Sequence, residues 1–289
     1  MISLRYLLLL TLLIFSASLR AVETIPYPSG SSYYNTNDNI SSTLSGWTNG
    51  WGAGNTNDGW NYVGQVGGGS DASGVYLGNG WVITAGHVGA HNFTLGTNTY
   101  NATGYSDTNF TFTYFGTTYY ADLNLFKIST TSTNGNALLP TNNLTLVPPY
   151  NTTGQTLVMI GYGDASVGRQ KSWGINTVTT NNLLVPLGGY PYTTVDFGTA
   201  YGTNSYGTTN SAVLVTGDSG GGDFIKSGGN WYLAGLNEAV SGNNSYFINL
   251  GYYSSQIAQV IPEPSTWALM GLSAVAFIGS AFWRRRKKA

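Results

Sequence analysis

The sequence predicts an all-β protein, either a sandwich or a set of barrels, on three observations. Charged residues make up only 8% of the chain, whereas glycine (40) and tyrosine (21) are abundant, as in secreted β-proteins with many turns. Short β-type runs alternate with turn residues through the middle of the chain. No stretch before residue 252 has the apolar periodicity of a helix. The aromatic content of 14% argues against a disordered chain.

The predicted strands are short and separated by turn residues. The run Gly78-Asn79-Gly80 between the first two predicts a tight hairpin. One short helix is predicted over residues 254–261, capped by Ser254 or Ser255 and stopped by Pro262. The strands are predicted at residues 75–77, 81–84, 111–115, 123–128, 156–160, 212–215, 231–236 and 245–250.

The N-terminal residues 1–21 have the layout of a secretory signal peptide. Arg5 precedes an apolar run over residues 6–15, and small residues lead to a cleavage site after Ser18 or Ala21. We therefore expect an exported protein. Residues 22–59, rich in Ser, Asn, Thr and Gly, are predicted to form a low-complexity extension or pro-segment.

The C-terminal residues 262–289 combine three features in a fixed order. Pro262-Glu263-Pro264 precedes an apolar run over residues 266–283, and five cations follow at 284–288. As a helix the run is about 27 Å long, enough to cross a bilayer with the cations left on the cytoplasmic side. This tail resembles the PEP-CTERM sorting tail of some Gram-negative bacteria. The resemblance implies an exosortase-type processing enzyme as a partner, transient attachment to the membrane, and a final location at the cell surface or outside the cell. A simple C-terminal anchor is the alternative.

Charge and composition exclude several classes of function. Residues 22–261 hold four basic and eleven acidic residues, a net charge of −7, so nucleic-acid binding is not expected. Cysteine is absent, which excludes a disulfide scaffold. The chain's two histidines, His87 and His91, have the spacing of a zinc motif, but Val88 stands where that motif has glutamate. We predict neither a metal site nor a cofactor.

Three segments carry residues suited to nucleophilic catalysis. His87 ends Thr84-Ala85-Gly86-His87, Asp122 begins Asp122-Leu123-Asn124-Leu125-Phe126-Lys127, and Ser219 is the centre of Gly217-Asp218-Ser219-Gly220-Gly221. A serine hydroxyl needs an imidazole to take its proton, and that imidazole needs a carboxylate on its other nitrogen. Glycines beside the serine allow a tight turn that aims backbone N–H groups at a developing oxyanion.

In motif and order, these segments resemble the trypsin/chymotrypsin family of serine peptidases. Gly161-Tyr162-Gly163 also matches the Gly-Trp-Gly of that family's second barrel. The resemblance implies two six-stranded antiparallel β-barrels over residues 60–261, barrel one at about 60–150 and barrel two at about 151–253, with a short C-terminal helix. An α/β-hydrolase is excluded because no histidine follows Ser219.

The resemblance also implies roles for individual residues. His87, Asp122 and Ser219 are the expected catalytic triad of an endopeptidase that acts on protein or peptide substrates. The amides of Gly217 and Ser219 are the expected oxyanion hole.

Two further expectations concern the substrate pocket and the residue before the nucleophile. Val213 is the expected base of the pocket and Val240 one wall. Asp218 is expected to form a structural ion pair with Arg169, because the N-terminus that the family often uses for this purpose has no counterpart at the right distance.

Two classes of function stay open. One is an active, exported serine endopeptidase, and the other is a catalytically silent surface or extracellular-matrix protein with the same fold. Residues 237–240 depart from the family pattern, because they stand where the family usually has a Ser-Trp-Gly ending. Asp223 also departs from it, because the family prefers an apolar residue at this position.

Overall fold

The computed structural model describes residues 23–24, 36–52, 57–67, 72–138, 144, 146, 152–163, 170–201 and 212–261. Within these residues no helix is both long and apolar enough to cross a membrane. The predicted signal peptide at 1–21 and the predicted transmembrane helix at 266–283 lie outside them.

The described residues form seventeen β-strands and three short helices. The helices are α1 (Ile40–Thr43), α2 (Gly59–Tyr62) and α3 (Leu250–Val260). The strands are β1 (Glu23–Thr24), β2 (Val63–Val66), β3 (Ala72–Gly78), β4 (Trp81–Thr84), β5 (Phe93–Leu95), β6 (Asn98–Tyr100), β7 (Ala102–Asp107), β8 (Thr111–Tyr114), β9 (Thr117–Tyr120), β10 (Asn124–Ile128), β11 (Thr156–Gly161), β12 (Ser172–Pro186), β13 (Thr193–Ala200), β14 (Ala212–Val213), β15 (Gly222–Ser227), β16 (Asn230–Ser241) and β17 (Asn244–Asn249).

The first barrel is a nearly closed sheet of seven strands, in the order β6-β5-β2-β3-β4-β10-β7. The expectation of a closed, six-stranded barrel here is therefore wrong. The two end strands of the sheet, β6 and β7, follow one another in the chain with only Asn101 between them. Asn101 bonds to Ser129 through both its amide and its carbonyl instead of continuing the ladder, which divides one bent strand into two.

The predicted hairpin between β3 and β4 is confirmed, and its turn explains the sequence Gly-Asn-Gly. Gly78, Asn79 and Gly80 have φ angles of 98°, 51° and 78°. Glycine and asparagine tolerate this left-handed region better than other residues. The turn sends the chain directly back, so that Val75 pairs with Ile83 in the antiparallel ladder.

The second barrel is closed and has the six strands expected, in the order β11-β12-β13-β17-β16-β15. Its longest strand, β12, forms a hairpin with β13 that extends beyond the barrel wall. The short strand β1 pairs with β14, placing Glu23 opposite Val213.

The C-terminal helix α3 begins earlier than predicted. It spans Leu250–Val260 with Asn249 at its N-cap, so the proposed caps Ser254 and Ser255 are wrong. Asn249 still pairs with Gly235 as the last residue of β17, so the helix begins directly where the strand ends. Ser254 instead donates its hydroxyl hydrogen bond to the carbonyl of Gly251.

Part of the N-terminal extension packs against the second barrel. Trp47 and Trp51 are buried and form an aromatic cluster with Trp231 and Phe224. Such aromatic contacts contribute about 0.5–1.5 kcal/mol each beyond the area that they bury. Residues 47 and 51 therefore belong to the core of the folded domain.

Candidate active site

His87 and Asp122 form a direct pair at the end of the first barrel. Strand β4 runs antiparallel to β10 with Thr84 opposite Asn124, so the segments that follow and precede these strands lie side by side. His87 Nδ1 lies 2.6 Å from Asp122 Oδ2, and the His87 backbone amide donates to Asp122 Oδ1 at 2.7 Å. The Asp122 carboxylate is fully buried, whereas 15% of the His87 side chain is exposed. Two hydrogen bonds thus fix the orientation of the imidazole and leave its edge accessible.

Ser219 lies on a tight loop of the second barrel that packs against the first. The Ser73 amide donates to the Ser219 carbonyl at 2.8 Å, and the Gly220 amide donates to the Asn237 carbonyl at 2.8 Å. Among the contacts of the described residues, no hydrogen bond joins Ser219 to His87. These backbone contacts position the loop that carries Ser219.

Gly220 makes the contact between this loop and the histidine strand possible. Its φ is +80°, and an added Cβ would lie 2.1 Å from Thr84 Oγ1 and 2.3 Å from the Ser73 carbonyl oxygen. No side chain fits there. The loop can therefore approach the strand that leads to His87 only with glycine at this position.

The backbone amides of Gly217 and Ser219 donate no hydrogen bond to any described residue. Gly217 has a φ of +101°, a conformation that favours glycine and turns the loop sharply just before the serine.

Asp218 is buried and is held by backbone amides. Its Oδ1 accepts from Gly163 at 2.9 Å, and its Oδ2 accepts from Val215 at 3.0 Å. Gly161 provides the space, because a Cβ there would lie 2.3 Å from Asp218 Oδ1. This explains the Gly161-Tyr162-Gly163 motif. The expected partner of Asp218, Arg169, lies outside the described residues.

A cavity of about 160 Å³ opens beside Ser219. Its lining is mainly apolar, and Val240 contributes to it as expected. Val213 does not: it belongs to β14, where it pairs with Glu23, and the next three residues line the cavity in its place. The lining residues are Leu187, Leu214, Val215, Thr216, Asp218, Ser219, Asn237, Glu238, Ala239 and Val240.

A larger cavity, about 490 Å³, lies along the β12–β13 hairpin among residues such as Thr179, Leu183 and Tyr246. It contains none of the candidate catalytic side chains. No group of three metal-ligating side chains occurs in the part of the chain that the structure describes.

Comparison with known proteins agrees with this architecture. The family model described as Trypsin matches residues 54–261. The chain belongs to the trypsin family. The PEP-CTERM protein-sorting motif matches residues 260–287 and indicates an exported, surface-sorted protein. No curated protein is a significant match to the chain.

Solved structures similar to this trypsin-family chain include those of the Rv3671c protease of M. tuberculosis. The inactive form is 18% identical with a TM-score of 0.47, and the match covers 70% of this chain and 89% of that one. The active form is 17% identical with a TM-score of 0.45, and the match covers 68% and 78%, respectively.

Three residues that the sequence analysis missed support the trypsin-family site. Ser73 joins the barrels: its hydroxyl accepts from the Tyr162 amide at 2.9 Å, and its carbonyl accepts from the Thr84 hydroxyl at 2.7 Å. The Asn237 side chain donates to the carbonyls of Ile160 and Asp218. These contacts join residues far apart in the chain, and no local motif signals them.

The third residue, Tyr190, comes from the tip of the β12–β13 hairpin. Its ring centroid lies 5.3 Å from that of His87, and about half of the side chain is exposed. The ring therefore lies beside the imidazole, tilted by 47° relative to it.

Proposed function

We propose that this protein is a serine endopeptidase in which Ser219, His87 and Asp122 form the catalytic triad. The observation that carries the proposal is the buried carboxylate of Asp122, bonded to both the Nδ1 and the backbone amide of His87. A hydrogen bond from Nδ1–H to a buried carboxylate leaves Nε2 as the free proton acceptor. Ser219, in its Gly-Asp-Ser-Gly-Gly loop, is the residue that this base serves.

In this proposal the reaction proceeds through an acyl-enzyme. His87 Nε2 takes the proton of Ser219 Oγ as that oxygen attacks the carbonyl carbon of the scissile peptide. The tetrahedral intermediate collapses when the imidazolium gives the proton to the leaving amine, which leaves an acyl-enzyme on Ser219. A water molecule, activated by the same imidazole, releases the acid and restores the serine.

The amides of Gly217 and Ser219 form the oxyanion hole in this proposal. They stabilise the charge on the tetrahedral intermediate, and one such donor is typically worth about 2.7–4 kcal/mol of the barrier. Asp218 shapes the same loop. Arg169 as its ion-pair partner stays a prediction, tested by Arg169→Ala, which should lower activity markedly without unfolding the protein. Full activity of this variant would rule the pair out.

The cavity beside Ser219 favours cleavage after small or medium apolar residues. A volume of about 160 Å³ and apolar lining suit such side chains. Glu238 is one of the lining residues, but it is only 4% exposed and its Oε1 accepts from the Thr194 hydroxyl inside the protein. A Lys or Arg side chain would be buried there without a dedicated partner. A peptide-library cleavage profile tests this, and a strong preference for Arg or Lys would overturn it.

Export completes the proposal. In this proposal residues 1–21 act as a signal peptide that directs the chain across the membrane, and the apolar run at 266–283 holds it there until an exosortase-type enzyme removes the tail. The predicted site of action is the cell surface or its surroundings. Mass spectrometry of the mature protein tests this: loss of residues 1–21 and of the tail is the expected result, and an intact C-terminus would contradict it.

Mutation of the triad tests the chemistry. Ser219→Ala and His87→Ala should each lower casein hydrolysis by several orders of magnitude, and the double variant should be little worse, because the triad acts as a unit. Wild-type hydrolysis by the Ser219→Ala protein would show that another group is the nucleophile.

A further inference from the structure

Two carboxyl groups, those of Asp196 and Glu238, lie close to each other in the second barrel and near Asp122. Asp196 belongs to β13 and Glu238 to β16. Asp196 is fully buried and Glu238 is 4% exposed. Isolated ionised carboxylates at such depth are strongly unfavourable, so this arrangement requires either a cation or a proton.

A chain of hydrogen bonds connects this carboxyl pair to the triad. The backbone amide of Asp122 donates to Thr194 Oγ1 at 3.0 Å. The Thr194 hydroxyl then donates to Glu238 Oε1 at 2.7 Å. The position of the Asp122 backbone, and therefore of the carboxylate that holds His87, depends on where the Thr194 hydroxyl points.

The other oxygens of the carboxyl pair lack a donor. Asp196 Oδ1 and Oδ2 and Glu238 Oε2 receive no hydrogen bond from any described donor. Ionised carboxylates only accept, whereas a protonated one also donates. One proton between Asp196 and Glu238 is the arrangement that gives both groups a partner.

The surrounding charges also favour a proton. Asp122 and Asp223 lie near enough to repel a negative charge on Asp196, and the phenol of Tyr253 lies near both members of the pair. At Glu238, the hydrogen bonds with Asp196 and Thr194 and the charge of His87 favour the ionised form and oppose this effect. Burial, and then the neighbouring carboxylates, raise the pKa of Asp196 well above its ordinary value. Burial, and then the charge of Asp122, raise the pKa of Glu238 to about 7.

We propose that Asp196 and Glu238 share one proton and act as positioning residues, holding Asp122 and His87 in place through the Thr194 hydroxyl. This inference rests on the proposed peptidase function. Without the shared proton, two adjacent buried carboxylates repel each other and Asp122, and the Thr194 hydroxyl loses its fixed acceptor. Activity then falls at alkaline pH.

The first experiment removes the bridge without touching the cavity. Thr194→Val keeps the shape but loses the hydroxyl, and Thr194→Ser restores it. We expect Thr194→Val to lower kcat about tenfold with KM changed less than about twofold, and Thr194→Ser to regain most of the activity. A Val variant with wild-type kcat, or a Ser variant as poor as Val, would overturn the proposal.

The second experiment replaces the shared proton. Asp196→Asn gives Glu238 a permanent amide donor, so kcat at neutral pH should stay within about threefold of wild type while the alkaline loss of activity disappears. Asp196→Leu removes the partner and should lower kcat about tenfold. An unchanged alkaline limb in Asp196→Asn would contradict proton sharing.

The third experiment does not depend on peptidase activity, so it separates this inference from the proposed function. In the Ser219→Ala protein, the infrared C=O band of a protonated carboxyl at pH 7 should weaken in the Asp196→Asn, Glu238→Gln double variant. In the same background, the NMR signal of His87 Nδ1–H should broaden in Thr194→Val but not in Thr194→Ser. If neither signal changes, the proposal of proton sharing fails, even if the protein is an active peptidase. If both signals change in a protein that cleaves nothing, proton sharing stands and only the proposed peptidase function fails.

Discussion

The two barrels bury very different side chains. The interior of the first is almost entirely apolar, and among its described residues the buried acids are Asp58, which caps α2, and Asp122. The second buries four carboxyl groups, those of Asp196, Asp218, Asp223 and Glu238. The apolar barrel provides a fixed frame for the imidazole–carboxylate pair. The acidic barrel carries the Ser219 loop and the residues that support it, so sensitivity to pH should originate there.

The largest expected effect comes from breaking the contact between the barrels. Gly220→Ala places a Cβ 2.1 Å from Thr84 Oγ1 and forces a left-handed φ of +80° on an L-residue. Strain and overpacking together should destabilise the protein by about 3 kcal/mol. Activity should fall by more than the residual folded fraction explains, because the loop shifts away from His87. Denaturant unfolding and hydrolysis rates measure both.

Gly116→Ala is the matched control for this variant. Gly116 has a φ of +79°, but an added Cβ meets nothing within 4 Å. Only the backbone strain remains, so the expected loss is about 1 kcal/mol with activity unchanged. Equal losses in the two variants would show that the contact with Thr84 does not matter.

The second expected effect is a loss of stability as pH rises. Burial raises the pKa of Glu238 from 4.5 to about 7 and raises the pKa values of Asp196 and Asp223 as well. The folded protein therefore binds more protons than the unfolded chain above about pH 4.5, and its free energy of unfolding falls as pH rises through 7. The contribution of Glu238 alone is on the order of 3 kcal/mol. Unfolding measured from pH 5 to pH 8 tests this, and stability that rises over this range would contradict it.

A substitution at Asp223 measures a smaller part of this loss of stability with rising pH. It lies on β15 between Met159 and Gly235, fully buried, with neither carboxyl oxygen hydrogen-bonded among the described residues. Burial, and then the charge of Asp218, raise the pKa of Asp223. Asp223→Asn removes the cost of ionisation, so it should stabilise the protein by about 1–3 kcal/mol at pH 8 and by less at pH 5. Destabilisation at pH 8 would show that the carboxylate has a structural partner.

The smallest effect is expected in the β8–β9 hairpin, which forms a two-stranded sheet of its own. Phe115, at the tip of the β8–β9 hairpin, is 91% exposed and has a φ of 44°. Asparagine tolerates this backbone conformation, so Phe115→Asn should change stability by less than about 0.5 kcal/mol. A loss above about 1 kcal/mol in thermal unfolding would show that the ring packs against another part of the protein.

Local motifs predicted much of the site, and long-range contacts explain what they missed. The strand 81–84 and the segments around His87, Asp122 and Ser219 follow from short patterns. The β12–β13 hairpin was not among the predicted strands. Asn182, within β12, has a φ of +54°, and the pairing register shifts there, but the strand continues through this bulge.

The residues that hold the site in place were missed for a different reason. Ser73, Thr194 and Asn237 act through partners that are distant in sequence, such as Gly217, which lies 144 positions from Ser73. Glu238 is likewise a departure from the family pattern in the sequence. Only the structure shows that the Thr194 hydroxyl and the Asp196 carboxyl lie beside it. The seven-stranded form of the first barrel depends on one residue, Asn101, whose hydrogen bonds only the folded chain reveals.

Covalent labelling by a serine-directed phosphonate tests the central claim, the triad of His87, Asp122 and Ser219, most directly. The reagent reacts only with a serine that is activated by a neighbouring base, and peptide mass spectrometry locates the adduct. We predict one adduct per chain, on Ser219, formed at least a hundredfold more slowly in His87→Ala and absent in Ser219→Ala. A folded wild-type protein that remains unlabelled, or that carries the adduct on another serine, would contradict the account.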